Sequence, residues 1–205
     1  MPVPPRLILA SGSRYRRELL SRLQLDFLAA APDINEAPMI GELPEHTAMR
    51  LAQQKAEAIA ASAPNAIIIG SDQVATLDGE QIGKPGTHAN ALAQLKKMQG
   101  RRVVFHTALC LLDTREAHFK QRLQRDIVDT IVTFRQLNEP QLDAYLRIEQ
   151  PYDCAGSAKN EGLGIALIES INSNDPTALT GLPLIALTGM LMQAGFNFFD
   201  HRPSL

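Results

Sequence analysis

Leu7-Ile-Leu-Ala-Ser-Gly-Ser-Arg-Tyr-Arg-Arg-Glu-Leu-Leu20 reads as a short buried strand that passes through a loop of small residues into a helix. That order of parts makes an anion site. Ser11, Gly12 and Ser13 bring backbone N–H groups and hydroxyls to a helix N-terminus, where unpaired donors and the positive end of the helix dipole favour phosphate. Arg14, Arg16 and Arg17 follow in the first turn, the end where each cation costs from a few tenths to about 1 kcal/mol. A local rule broken three times in succession points to function, against the alternative of a basic turn screened by solvent.

The bulk properties narrow the class. A chain of 205 residues is long enough to bury a sizeable core, and no Pro/Gly/Ser-rich linker divides it, so one domain spanning 1–205 is expected. The formal net charge is −2, from 20 basic and 22 acidic residues. No global field therefore recruits nucleic acid or a membrane surface, and any polyanion must be held by a local cluster. Two cysteines, Cys110 and Cys154, are too few for a disulfide framework and fit a reducing compartment. Met-Pro-Val-Pro-Pro at the start has neither the charged nor the apolar region of a signal peptide, and no apolar run approaches membrane-spanning length. A soluble, cytoplasmic protein is expected.

Along the chain, Leu19, Leu20 and Leu23 give the first helix an apolar stripe, and residues 26–32 read as a second strand. Residues 45–63 form a helix stopped by Pro64, on which Leu51, Lys55 and Ile59 fall at i, i+4 and i+8. Lys55 thus lies along the apolar stripe, where it either snorkels to water or faces a cleft. Ala66-Ile-Ile-Ile69 is the clearest buried strand, changing abruptly to Gly70-Ser71-Asp72-Gln73. Ligand sites in α/β sheets lie beyond the carboxyl ends of such strands. Residues 74–77, the Asp78-Gly79 turn and 81–83 suggest a hairpin that carries Lys84-Pro85 on its return. Thr87 caps a helix through Met98, with Gly100 as its stop. Residues 103–112 and 126–134 read as long strands joined by a polar turn at 113–118 and its extension. Asn138 caps a further helix, a small-residue loop at 154–164 leads into a strand at 165–171, and Gly181-Leu-Pro-Leu184 opens the last helix. The mixture predicts an α/β fold with a mixed sheet.

Seven charged residues stand at element ends or on an apolar face: Arg16, Glu36, Lys55, Asp72, Lys84, Lys159 and Glu161. The cations suit a triphosphate, and the carboxylates Glu36 and Asp72 suit a hard divalent metal shared with substrate phosphates. Phosphoanhydride hydrolysis needs that combination: neutralised charge, a polarising metal and a base for water. The five histidines form no ligand pair, which argues against a zinc hydrolase. There is no G-x-x-x-x-G-K-[ST], so a P-loop does not account for the phosphate site.

Six ordered motifs, Leu9-Ala-Ser-Gly-Ser-Arg-Tyr-Arg-Arg-Glu-Leu-Leu, Arg50-Leu-Ala-Gln-Gln-Lys-Ala, Gly70-Ser-Asp-Gln, Gly83-Lys-Pro, Cys154-Ala-Gly-Ser and Gly181-Leu-Pro-Leu, together resemble the Maf family of nucleoside triphosphate pyrophosphatases from about residue 6 to residue 195. The resemblance implies a mixed-sheet fold related to inosine triphosphate pyrophosphatases, with the site in a cleft, and a homodimer. It implies metal-dependent cleavage between the α- and β-phosphates, with Mg²⁺ or Mn²⁺ as cofactor. Asp72 matches the proton acceptor, Ser11, Ser13, Arg16, Lys55 and Lys84 match phosphate contacts, and Glu36 matches a metal or catalytic carboxylate; base and metal-ligand roles for Asp72 both remain open.

Tyr15, Gln73 and Glu161 are similar to the trio of the subfamily acting on 7-methyl-GTP, where dTTP- and UTP-specific members carry arginine, threonine and glutamine. N7-methylation makes guanine cationic, and an aromatic face attracts a cation by roughly 0.5–2 kcal/mol. Glu161 adds a carboxylate able to accept from guanine N1–H and the amino group. The family loop usually has proline where Arg14 stands, and the subfamily aromatic is more often tryptophan. A dTTP/UTP pyrophosphatase, a nucleotide-binding regulator of division or septum formation with incidental hydrolysis, and, weakest, a nucleic-acid module are the competing readings.

Overall fold

The structure, a computed structural model, describes residues 5–115 and 123–199. Seven strands form one mixed sheet: β1 (Arg6–Leu9), β2 (Phe27–Ala29), β3 (Ala66–Leu77), β4 (Glu80–Ile82), β5 (Arg102–Asp113), β6 (Leu123–Phe134) and β7 (Ile168–Ser173). Their order is β2-β1-β3-β5-β6-β7, with β4 beside β3. β1 runs parallel to β2 and β3, while the β3–β4, β3–β5, β5–β6 and β6–β7 pairs are antiparallel. Five α-helices complete the frame: α1 (Arg14–Ser21), α2 (Pro44–Ala60), α3 (His88–Met98), α4 (Glu139–Glu149) and α5 (Leu184–Gln193). Among the described residues no helix is long and apolar enough to cross a membrane.

Strand alternation sorts the core. Ile67 and Ile69, with Leu7, Leu9, Leu109 and Leu111, pack on Leu19 and Leu20 of α1 and on Leu187 and Leu191 of α5. Ile68 points the other way, onto Ala48, Ala52 and Ala56 of α2. Ala75 and Leu77, further along the first face of β3, belong to a separate cluster with Leu95 of α3 and Leu146 of α4. Two apolar clusters thus lie on one face of β3, and Ser71 and Gln73 fall between them.

The helix limits follow local chemistry. Thr87 Oγ1 accepts from Asn90 N–H, and Asn138 and Gln141 form a reciprocal capping box, the pattern that satisfies orphan amides at a helix start. Gly100 and Gly195 take positive φ, +69° and +87°, just past α3 and α5.

Three expectations are corrected. β3 does not end at Ile69 but runs unbroken to Leu77, because β5 supports it along its whole length, pairing from Ile67 to Thr76. Residues 163–167 form a 3₁₀ turn, and the strand after them begins at Ile168. Pro183 occupies the cap position before α5, with its first helical residue at Leu184. The turn expected at 113–118 and its extension lie outside the described residues from 116 to 122.

Candidate active site

β1 pairs with β3 only from Ala66 to Ile69, and β4 pairs only from Ala75 to Leu77. Between them, residues 70–74 have no strand partner on that edge. Asp72 therefore stands in the middle of its own strand yet beyond the carboxyl end of β1. A cleft of about 790 Å³ opens at this gap. Ser11, Ser13, Arg16, Glu36, Lys55, Asp72 and Lys84 line it, and so do Tyr15, Gln73, Lys159 and Glu161. The seven charged residues at element ends and the three base-reading candidates converge on one space, with Ser11 and Ser13.

Lys55 decides its own reading. It is 6% exposed and Asp72 8%, and the Lys55 ammonium lies 2.6 Å from both Asp72 Oδ1 and Glu36 Oε1. Snorkelling to solvent is thereby excluded: the lysine faces the cleft. Gly70 makes this possible. A Cβ built there would lie 2.0 Å from the Ala52 carbonyl oxygen, so only glycine lets α2 seat against β3 and bring Lys55 to Asp72. Burial pushes the Glu36 carboxyl upward, but its hydrogen bond and charge contact with Lys55, aided by Lys84 and Arg16, outweigh that and hold it below the usual carboxylate range.

The loop after β1 satisfies part of its own donor set: Ser11 N–H donates to the Leu9 carbonyl at 2.9 Å. Ser13 N–H donates to Ser11 Oγ at 3.1 Å, and Ser13 Oγ accepts from Arg16 N–H at 3.4 Å as the α1 cap. The amides of Arg14 and Tyr15 start the helix and have no intrahelical acceptor. The three arginines separate. Arg14 pairs with Glu18 in solvent, Arg17 is exposed, and Arg16 alone turns inward, donating Nε–H to the Gly181 carbonyl at 2.8 Å. Burial lowers the Arg16 pKa, while Asp72 and Glu36 oppose the shift. With Nε occupied, its terminal nitrogens remain for a ligand.

The base-reading candidates sit around the same space. Gln73 Nε2 donates to Thr107 Oγ1 at 2.9 Å and to the Ala178 and Leu179 carbonyls at 3.0 Å. Carbonyls only accept, so the amide nitrogen is committed to them and Oε1 is the atom left for a ligand. Tyr15 is half-buried in the wall. Glu161 lies at the rim, where desolvation by the cleft walls raises its pKa against the opposing contact from Thr180. Lys159 pairs with Asp153 at 3.2 Å. Beyond Gln73 the lining turns apolar, with Val74, Phe105, Val132 and Leu179.

Several contributors carry no motif. The apolar wall is one, since Phe105 and Val132 look like ordinary strand residues. Another is Asp175, 2% exposed, whose carboxylate accepts from Thr177 N–H at 3.1 Å and from the Ile185 and Ala186 amides at 2.6 and 3.2 Å. It caps α5 from ten residues upstream and fixes the loop that presents Gly181 to Arg16. The run Asn172-Ser-Asn-Asp-Pro176 has turn composition, which marks the place but not α5 as the partner.

Among the described residues no group of three or more His, Cys, Asp or Glu could hold a metal unaided. The donor chemistry still fits a hard divalent cation: Asp72 and Glu36 converge on one cation, Lys55, and Mg²⁺-type sites take one or two carboxylates and complete their shell with phosphate and water.

Comparison with known proteins gives a consistent picture. The family model described as Maf-like protein matches residues 6–194. A Cupriavidus metallidurans protein named 7-methyl-GTP pyrophosphatase is 63% identical over 195 residues, covering 95% of this chain and 96% of its own. A Ralstonia nicotianae protein of the same name is 60% identical, covering 95% and 98%. The solved structure of the Staphylococcus aureus Ham1 protein superposes with a TM-score of 0.51 at 15% identity, over 93% of this chain and all of that one, a likeness of fold.

Proposed function

The chain belongs to the Maf family, and on that premise we propose that its cleft hydrolyses 7-methyl-GTP to 7-methyl-GMP and pyrophosphate. The observation that carries the proposal is the convergence of Lys55, Asp72 and Glu36 at the unpaired stretch of the β3 edge, with Arg16 and the Ser11–Ser13 loop beside them. The names of relatives more than 60% identical over nearly the whole chain support the substrate.

The triphosphate lies against the α1 N-terminus, Arg16, Lys55 and Lys84, whose positive charge offsets that of the chain. Asp72, paired with Lys55 at 2.6 Å, takes the proton of the attacking water as Lys55 turns its charge to the phosphates. Glu36 and Asp72 would hold Mg²⁺ or Mn²⁺, which when bound supplies polarisation of the phosphoryl oxygens. Tyr15 stacks on the cationic base, Glu161 accepts from its N–H groups, and Gln73 Oε1 offers a further acceptor. The apolar wall at Phe105 and Leu179 covers the sugar and base.

The chain works as a homodimer in the cytoplasm; the resemblance of its six motifs to the family supports the dimer, and two free cysteines fit a reducing compartment. Light scattering on the eluted protein checks the assembly.

Phosphate release after added inorganic pyrophosphatase, measured over 7-methyl-GTP, GTP, dTTP and UTP with each metal, tests the activity. The methylated nucleotide is expected to lead, and Asp72→Asn is expected to lose about 10²-fold to 10⁴-fold while still binding nucleotide. Equal rates on dTTP and 7-methyl-GTP would remove the specificity, and an active Asp72→Asn protein would remove the base.

A further inference from the structure

Arg50 belongs to the Arg50-Leu-Ala-Gln-Gln-Lys-Ala motif but does not line the cleft. It stands on α2, five residues before Lys55, and makes a two-pronged ion pair with Glu42: Nε to Oε1 at 2.6 Å and Nη2 to Oε2 at 2.7 Å. Both side chains are largely buried, at 17% and 11% exposure. Arg50 Nη2 also donates to the Ala37 carbonyl at 3.1 Å, and Nη1 to Gln54 Oε1 at 3.1 Å. Glu42 in turn accepts from Met39 N–H at 3.0 Å and from Thr47 Oγ1 at 2.9 Å. The hydrogen bond from Arg50, against some burial and with help from the Met39 and Thr47 contacts, holds the Glu42 carboxyl down at about 2. The bonds from Arg50 to Glu42 and Ala37 and from Thr47 to Glu42 tie the segment after Glu36 to α2, while Met39–Glu42 braces the segment and Arg50–Gln54 braces the helix.

That segment otherwise has little to fix it. Residues 30–39 form neither helix nor strand, and most of them are exposed. Glu36 itself is 48% exposed on its side chain, and its ion pair with α2 is made to Lys55. When Lys55 turns to a phosphate, that tether is weakened at the moment Glu36 is needed. A planar guanidinium engaging both carboxylate oxygens gives orientation as well as attraction, which a lysine cannot reproduce.

We propose that Arg50 and Glu42 are a positioning pair, a clasp from α2 that holds residues 36–42 so that Glu36 stays at the Asp72 end of the cleft after Lys55 engages substrate. The proposal rests on the role given above to Glu36.

The test is a set of kinetic cycles on 7-methyl-GTP with Arg50→Lys, Arg50→Met, Glu42→Gln and Glu36→Gln, singly and combined. Each clasp variant is expected to lose about tenfold to a hundredfold in kcat, with KM changed much less. Arg50→Met with Glu42→Gln is expected to be no worse than either alone, and neither clasp variant should reduce activity further once Glu36→Gln is present. Hydrogen exchange supplies a readout independent of turnover: the amide of Met39 should exchange faster in Arg50→Met, while the Lys55 region of α2 keeps its protection. Losses that add to that of Glu36→Gln, or faster exchange throughout α2, would make the pair merely structural and overturn the proposal. Glu42→Gln, the gentler change, carries the test should Arg50→Met fail to fold. A fully active Glu36→Gln protein would overturn the clasp together with the role of Glu36, whereas impaired Glu36→Gln beside unimpaired clasp variants would overturn the clasp alone.

Discussion

At the scale of single residues, the cleft holds carboxyls pushed in opposite directions. Glu36 is drawn below its ordinary pKa by Lys55, whereas Glu161 is raised by desolvation at the rim. Acidification therefore protonates Glu161 first. Because a raised carboxyl loses its charge at higher pH than a free one, attraction for a cationic base weakens earlier on acidification than an ordinary carboxylate would allow. KM for 7-methyl-GTP is expected to rise as the native protein is acidified, whereas Glu161→Gln should have a high KM that hardly changes with pH. A native KM that stays flat would detach Glu161 from the base. Lys55 shows how far one residue can be read from sequence. Its place on an apolar stripe was legible from spacing alone, but the choice between water and cleft depended on what lay opposite. Two carboxylates at 2.6 Å answer it.

At the scale of elements, the site depends on α2 lying close against β3. Gly70 is the contact that sets the distance, since any side chain there meets the Ala52 carbonyl. Gly70→Ala is expected to destabilise the protein by about 3 kcal/mol or more, because overpacking against backbone cannot be relieved by a rotamer change. It should also move Lys55 away from Asp72 and lower kcat. Urea unfolding and turnover measured on the same sample check both effects; a fully stable, fully active Gly70→Ala would show that α2 can sit farther out. Helix ends were readable, because caps such as Thr87 and Asn138 act on neighbours a few residues away. The end of β3 is where local pattern and structure part: the change from isoleucines to Gly-Ser-Asp reads as a strand end, and the pairing with β5 carries the strand through it.

At the scale of the whole molecule, the cleft joins a charged end at β1 and α2 to an apolar wall at Phe105 and Leu179. A ligand that uses both should stabilise the fold more than one that uses only the first. A non-hydrolysable 7-methyl-GTP analogue at a hundred times its Kd is expected to contribute about 2.7 kcal/mol, or roughly 5–10 °C in Tm. Inorganic triphosphate at the same concentration should give a smaller shift, read by calorimetry; equal shifts would mean that the apolar wall adds nothing. By itself, the sequence determined the α/β class, the mixed sheet, most helix limits and the chemical types gathered in the site. Those follow from periodicity, capping and motif, all of which act within a few residues along the chain. Only the tertiary structure decided that Asp72 lies mid-strand in the cleft, that Arg16 and not Arg14 or Arg17 turns inward, and that Asp175, Gly70 and the Arg50–Glu42 pair brace the elements around it. Those outcomes depend on partners outside the local pattern, from eight residues away for Arg50 and Glu42 to 165 for Arg16 and Gly181. Local patterning holds no record of such a partner until the sheet has brought the two together.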